Sequence, residues 1–207
     1  PLDVSDFNST IAKIQQARPD FVISALVGGA HLSFYRQWAA AGMKQRIPLA
    51  STTLGVGNEH KVLTSAEGDG ILVAYNYSPE LATPANKAFL ARWSAMHGGD
   101  TAAINELAVL HYQGIKLWAE GVKRANSLDR AKVIAAMANG ASIEGPSGKV
   151  TIDRATHHVT LDIHVMEIGG QRLKVLQSFA QKPPRETQAV CDLQKTPNAS
   201  TQHEIKL

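Results

Sequence analysis

The sequence predicts an α/β fold, and three observations predict it: a strand apolar on both faces that runs through two glycines into a helix, a repeat of strand and helix at parallel-sheet spacing, and a later switch to alternating antiparallel strands. The first lies at residues 20–42, "DFVISALVGGAHLSFYRQWAAAG". A run apolar on both faces fits a central parallel strand covered by helices on either side. Strand, glycine turn and helix N-terminus together make the corner of an open sheet where unpaired N–H groups and the helix dipole face outward. Gly28 and Gly29 serve either a ligand at that corner or only a tight turn.

The elements follow in order. A helix at 6–17 carries Phe7, Ile11 and Ile14 on one face and closes at Pro19. The strand at 20–27 and a helix at 31–41 come next, then the strand "IPLAST" ending at Thr52, a loop with glycines, a brief helix at 58–64 and the strand "GILVAYNYS". Parallel strands are therefore expected at 20–27, 47–52 and 70–76. From 83 to 139 the pattern is helical. Thr83 caps a helix with Pro84 at its first position, and Phe89, Leu90 and Trp93 form its buried stripe. The next helix sets Ile104, Leu107, Leu110, Gly114, Leu117 and Gly121 on one face, its two glycines allowing close packing. A third helix occupies 128–138. Residues 147–180 alternate as antiparallel strands, with a hairpin turn at Gly169 and Gly170. Beyond Gln181 the chain is rich in Pro, Thr and Gln and reads as a loosely held polar tail.

With 207 residues, 44% of them hydrophobic and 19% charged, the chain has enough apolar content for a buried core in one or two domains. No apolar run approaches the roughly 20 residues that span a bilayer, and "PLDVSDFNST" lacks the regions of a signal peptide. Net charge is +3, but Lys and Arg are scattered among acids, so no basic stripe points to nucleic acid. The lone Cys191 excludes an internal disulfide and a Cys-based zinc site. Two features look incomplete: a helix opens the chain before any strand it packs on, and the helical block has no sheet of its own. The expectation is that substantial sheet belongs upstream of this chain.

The order of motifs resembles the type I solute-binding proteins of ABC transporters, in the branch that binds branched-chain amino acids, amides and urea. "DFNSTIAKIQQARPDFVISALVGG" looks like that family's D-F-x-x-x-I-x-K-I-x-x-A-x-P-D-x-V segment, and "FYRQWAAAGM" like its helix ending in A-A-G. "TPANKAFLARW" is similar to its post-crossover helix, and "IEGPSGKVTIDRATHHV" to its P-x-G-x-V-x-I-D-x-x-x-x-H segment. The resemblance covers nearly all of residues 5–180. It implies the type I periplasmic-binding-protein fold, two Rossmann-like lobes joined by three crossovers and closing on a small molecule, here lacking the N-terminal half. Under it, residues 1–75 are second-lobe β/α units, 76–143 first-lobe helices, 144–181 a return to the second lobe, and 182–207 a polar tail. It also implies an amino acid, short amide or urea-like ligand, an ABC permease as partner, periplasmic location and no cofactor. The absent sheet implies a second chain over the first-lobe helices.

Contacts in such a cleft come from the C-terminal ends of strands and the turns after them. The candidates are Val27, Gly28, Gly29, Ala30 and His31 after the first strand, Thr52 and Thr53 after the second, and Tyr75, Asn76 and Tyr77 after the third. The glycines admit backbone N–H groups to an acceptor, the threonines offer hydroxyls, and the tyrosines an apolar wall with a polar tip. Other readings stand beside these: the threonines as helix caps, Tyr77 as a packing ring, His31 as a solvated helix start. The urea-binding branch resembles N-G-D in this turn, whereas Gly29 stands at the position of the acid, which weakens urea and looks closer to amide-sensing receptors. A cytoplasmic amide-sensing regulatory receptor of the same fold is therefore the alternative.

Catalysis is not expected, because no G-x-S-x-G, P-loop, G-x-G-x-x-G or H-E-x-x-H motif is present. His157, His158 and His164 invite a metal reading, but no carboxylate or thiol completes an evident set of four, and a solvated strand face accounts for His164 and Asp162.

Overall fold

The computed structural model describes residues 4–99 and 104–198. Three βα units open the fold: α1 (Asn8–Ala17), β1 (Val22–Ser24), α2 (Ala30–Ala40), β2 (Leu49–Ser51), a 3-10 turn at Glu59–Lys61, α3 (Ser65–Gly68) and β3 (Leu72–Tyr75). Three helices follow, α4 (Pro84–His97), α5 (Glu106–Ala125) and α6 (Arg130–Ala138). The chain continues as β4 (Ser142–Gly145), β5 (Gly148–Ile152), β6 (Val159–Gly169), β7 (Arg172–Lys182) and the short α7 (Arg185–Val190).

The seven strands form one sheet in the order β1-β2-β3-β6-β5-β4, with β7 on β6. β1, β2 and β3 are parallel, Val22 opposite Leu49 and Ser51 opposite Val73, while every pairing from β3–β6 onward is antiparallel. Both halves of the strand expectation hold. Gly169 pairs with Arg172, so the hairpin turn is made by Gly170 and Gln171, both at positive φ (57° and 63°). Two left-handed central residues match a type I′ turn to the twist of its strands.

The both-face burial expected of the first strand does not occur. Ser24, Leu49, Ser51, Val73, Tyr75 and Met166 face a core built with Phe34, Tyr35 and Trp38 of α2. On the other face Ile23 is 67% exposed, and Phe21 and Val27 flanking β1 are also exposed. The helix that opens the chain does find a partner: Phe7 meets Phe34 edge-on at 5.4 Å, and Gln37 of α2 accepts from Phe7 N (2.7 Å) and donates to Ser5 O (2.6 Å).

Thr83 caps α4 as expected, accepting from Asn86 N at 3.1 Å. On α5 the periodicity reading holds for Ile104, Leu117 and Gly121, which are buried, and fails for Leu107 and Gly114. Val109, Gln113, Leu117 and Gly121 are buried, while Leu107 (49%), Ile115 (68%) and Trp118 (51%) lie exposed and Gly114 packs against nothing. Gln113, polar in the pattern, is buried because its Oε1 accepts from Ser147 N (3.1 Å) and Ser147 Oγ (2.9 Å) in the β4–β5 turn. Gly121 does serve close packing, since an added Cβ would collide with Met137 of α6. The tail is less loose than its composition implies. α7 is tied down by Gln188 Nε2 donating to Asp153 Oδ2 (2.9 Å), and Leu193 N donates to Ala155 O (2.7 Å).

Two apolar cores result. One joins α1 and α2 to β1–β3 and the ends of β6 and β7; the other gathers Tyr77, Leu81, Phe89, Ile104 and Val109, with Val175 of β7 touching both. The β4–β5 hairpin packs on α5 rather than on β1–β3, so only the long β6 and β7 carry the antiparallel block back to the parallel strands.

Candidate functional site

Each of the first two parallel strands ends in a serine, and these anchor the corner. The Tyr35 hydroxyl lies 2.9 Å from Ser51 Oγ and 3.2 Å from Ser24 Oγ, and Ser51 Oγ accepts from Leu54 N (3.0 Å). The loop after β2 is stitched across the strand ends: Thr52 N donates to Ser24 O (3.0 Å), Thr53 Oγ1 to Leu26 O (2.5 Å) and Tyr75 Oη to Leu54 O (2.7 Å). Thr53 and Tyr75 therefore spend their hydroxyls holding the loop. Thr52 stays at the surface.

After β1 the turn opens outward. Val27, Gly28 and Gly29 are exposed, and Gly28 adopts φ 69°, a left-handed conformation that glycine tolerates without strain. Gly29 is the N-cap of α2, yet no side chain caps the helix and its first turn holds no acid. His31 N already donates to Gly28 O at 3.2 Å, and the other donors of that turn meet no side-chain cap, an arrangement that favours an anionic or carbonyl oxygen. Ala30 and His31 are buried behind it. His31 is thus not the solvated helix start: its ring lies 5.8 Å from that of Tyr35, its Nδ1 has no partner, and burial pulls its pKa below the usual value despite Glu59 nearby.

The third cluster divides. Tyr75 stays under the strand ends, and burial pushes its phenol well above the ordinary range. Tyr77 turns to the helical side, where its hydroxyl donates to Asn86 Oδ1 at 2.9 Å and Asn86 in turn donates to the carbonyls of Pro79 and Leu81. It is a packing ring in the second core. Asn76 N donates to Glu106 Oε1 at 2.9 Å, and the Asn76 side-chain amide is buried without a partner at either atom. Burial raises the Glu106 carboxyl, and the bond from Asn76 partly offsets that.

The structure therefore gathers residues 27–31, 52–53 and 75 at the strand ends and places Asn76 and Tyr77 in the passage to the helices. Pattern reading missed Ser24, Tyr35, Ser51, Glu59, His60 and Glu106. Glu59 accepts from Gly55 N (2.9 Å) and Gly57 N (3.0 Å), and His60 lies buried under that loop with neither ring nitrogen partnered. The repeated serine at the end of β1 and β2 was the available signal. His164 also departs from expectation: it is buried, not solvated, with Nδ1 2.8 Å from Ser178 Oγ. The larger grooves lie away from the corner. One of about 670 Å³ separates residues 80–83 from β7 and includes His164, Arg172 and Ser178. Among the described residues no cluster of His, Cys, Asp and Glu has the arrangement of a metal site, and no helix is long and apolar enough to cross a membrane.

Known proteins share this fold. The solute-binding protein of an ABC transporter from Rhodopseudomonas palustris HaA2, solved with p-hydroxybenzoic acid, is 28% identical and superposes with a TM-score of 0.75 over 88% of this chain and 51% of its own. A second, from R. palustris BisB5 with 3,4-dihydroxybenzoic acid, is 26% identical, with a TM-score of 0.73 over 90% and 52%. An amino acid ABC transporter substrate-binding protein from Pseudomonas fluorescens Pf-5 shares the fold at 22% identity and a TM-score of 0.71, over 89% and 51%. The chain thus spans about half the length of the solved structures it matches. The sequence profile described as periplasmic binding protein matches residues 1–172. Fold, topology and profile agree, and the chain belongs to the type I periplasmic binding proteins, the family of ABC-transporter solute-binding components.

Proposed function

We propose that this chain forms one wall of the substrate-binding component of an ABC-type uptake system, acting in the periplasm beside a permease, and that it captures a small solute bearing a carboxylate. The observation that carries this reading is the uncapped, acid-free start of α2 behind Gly28 and Gly29. None of the ten strand-end candidates is charged, so an acidic solute meets backbone donors here rather than a lysine or arginine. The matched proteins solved with hydroxybenzoates support an aromatic acid over the amide or urea expected from the turn, and an amino acid is the neighbouring choice. The chemistry is capture, not catalysis.

Gly29 supplies the test. Its φ is −59° and an added Cβ meets nothing within 4 Å, so aspartate fits there without strain. Its ψ of −22° makes the position helical rather than the extended backbone of a capping residue, so aspartate contributes a negative charge beside a helix N-terminus, worth about 0.3–1 kcal/mol, and not a cap. Gly29→Asp should leave the thermal midpoint unchanged or slightly raised while repelling an anion. With p-hydroxybenzoate at millimolar concentration, NMR should show amide shifts at 28–32 in the wild type and none in the variant. A single open wall leaves much of a ligand in water, so calorimetry on this chain should show no micromolar binding, since ligand sites commonly bury 70–90% of a drug-sized ligand. Shifts confined to other residues, or identical in Gly29→Asp, contradict the reading.

The partner on the helical side is a second polypeptide over α5, whose exposed face from Leu107 through Ile115 to Trp118 carries no charge. Covering such half-exposed side chains gains on the order of 1–2 kcal/mol each. Light scattering should give a mass above the 22.2 kDa monomer. Leu107→Asp with Trp118→Asp should return it to the monomer. A wild-type monomer unaffected by both changes rules this partner out.

A further inference from the structure

The loop after β2 buries a titratable side chain that solute capture leaves unused. His60 is 2% exposed, and neither of its ring nitrogens has a partner. It lies so close beneath the loop that a Cβ built on Gly55 would stand 3.0 Å from its Nδ1. Its neighbour Glu59 folds back over the same loop, Oε2 accepting from Gly55 N at 2.9 Å and Gly57 N at 3.0 Å. The backbone bonds of this segment are local: Val56 N to Thr53 O, Asn58 N to Gly55 O, Lys61 N to Asn58 O and Val62 N to Glu59 O. The fully buried Leu54 and Leu63 pin its two ends, so the stretch between them lifts without breaking the sheet. At its foot Thr53 Oγ1 donates to Leu26 O, which sets the loop beside the open turn at Gly28 and Gly29.

His31 stands behind that turn, as buried as His60, with Nδ1 unpartnered and the Tyr35 ring 5.8 Å away. The charges facing the two rings are Glu59, which acts on both, and Lys61 and Glu80, which act on His60. Glu80 comes from the passage after β3 and is itself engaged by Ser78 Oγ and, at 3.9 Å, by Arg172. No acidic oxygen reaches a His60 nitrogen. Burial outweighs the acids and pulls both imidazoles below their usual pKa.

We propose that residues 55–62 form an acid-released flap: a proton on His60, reinforced by one on His31, ejects the loop from the strand ends, so the flap is shut at neutral pH and open in mild acid. A charged imidazole with two donors and no acceptor is far costlier in a dry pocket than a neutral one, and water supplies its partners once the loop lifts. The shut form binds fewer protons than the open one. Shutting is therefore fully favoured above about pH 6.5, the ordinary histidine value, and weakens as pH falls below it. Each histidine contributes up to about a tenfold rise in the open fraction per pH unit. The inference adds a control beside the solute-binding turn and stands without that reading, because the flap opens with no solute present.

Amide hydrogen exchange on the whole chain, expressed as protection relative to the unstructured rate at each pH, tests it. From about pH 7 to about pH 5, protection at Gly57, Asn58, Lys61 and Val62 should fall about tenfold or more. Val22 and Ile168, whose N–H groups donate to Pro48 O and Ile71 O, should keep theirs, and their protection in each variant confirms that it is folded. His60→Leu removes the proton site and should lose most of the fall. Glu59→Gln keeps an acceptor for Gly55 N and Gly57 N and should retain it. A parent loop equally protected at both pH values overturns the proposal. So does a fall undiminished in His60→Leu, or one abolished in Glu59→Gln, which would assign it to the carboxylate. The parent alone gives an independent reading: 15N shifts of the His60 ring should report protonation only as the loop amides lose protection, and a protonated ring under a protected loop overturns the proposal as well.

Discussion

Trp38→Ala should destabilise the fold by about 3–5 kcal/mol, the range for deleting a large buried aromatic side chain. Trp38 is fully buried and stacks on Phe34 with centroids 5.7 Å apart and planes 30° apart. Phe34 in turn meets both Phe7 and Tyr35, so the loss spreads through the contacts that hold α1 and α2 together. The neighbours cannot collapse into the space, because Phe34 and Tyr35 are held by the same α2 backbone and Tyr35 is hydrogen-bonded to Ser24 and Ser51 at the strand ends. The indole Nε1 has no partner, so the loss is one of packing and dispersion, with no hydrogen bond in it. Trp38→Phe should cost clearly less, since it keeps most of the ring contact and removes an unsatisfied donor. Urea unfolding measures both. For a domain of this size each kcal/mol shifts the thermal midpoint by about 2–4 °C. A Trp38→Ala loss below about 1 kcal/mol would show that this core is far looser than close-packed interiors are.

Gly145→Ala should cost about 2–4 kcal/mol, adding overpacking to the disturbance of a buried hydrogen-bonded amide. Gly145 ends β4, and it is not among the glycines at positive φ, so space alone excludes a side chain there. An alanine Cβ would collide with Gln113 Oε1 and stand 2.8 Å from its Cδ and 3.0 Å from its Cγ. Gln113 cannot yield freely, because the same Oε1 accepts from Ser147 N and Oγ and the side chain is buried. Moving it unlocks α5 from the β4–β5 turn. A double-mutant cycle separates this cause from any other: in a Gln113→Ala background the same glycine change should cost less than about 1 kcal/mol, a strong departure from additivity. Equal costs in the two backgrounds would refute the account.

Local patterns carried much of the fold. The apolar runs near 22, 49 and 72 became parallel strands, Thr83 with Pro84 became a capped helix start, and the paired glycines at 169 and 170 marked the hairpin to within one residue. These succeed because turn chemistry and caps act within a few residues. The face of α5 was only partly legible, for the opposite reason. Periodicity counts apolar residues, so it took in Leu107, which stands exposed, and passed over Gln113, which is buried beside the expected Leu117 and Gly121 because Ser147, far along the chain, supplies its hydrogen bonds. The candidate site shows the same division. Strand-end positions 27–31, 52–53 and 75 follow from the rule that parallel strands present their C-terminal ends, and the structure brings them together. The roles of their side chains do not follow from it: Thr53, Tyr75 and Tyr77 have their hydroxyls bound to Leu26, Leu54 and Asn86.

By itself the sequence determined the α/β class, the parallel-then-antiparallel order, the glycine turn before α2 and the likeness to type I binding proteins, since each depends on residue types at short spacing. Only the tertiary structure decided which faces are covered. Ile23 stands exposed and His31, His60 and His164 lie buried, because burial is a property of what packs from elsewhere in the chain and leaves no mark at the residue itself. It also decided that Glu106 reaches Asn76 across 30 residues and that His164 pairs with Ser178 between two slips of the ladder. Hydrogen bonds of that range depend on the geometry of the assembled sheet and helices, which no local pattern encodes.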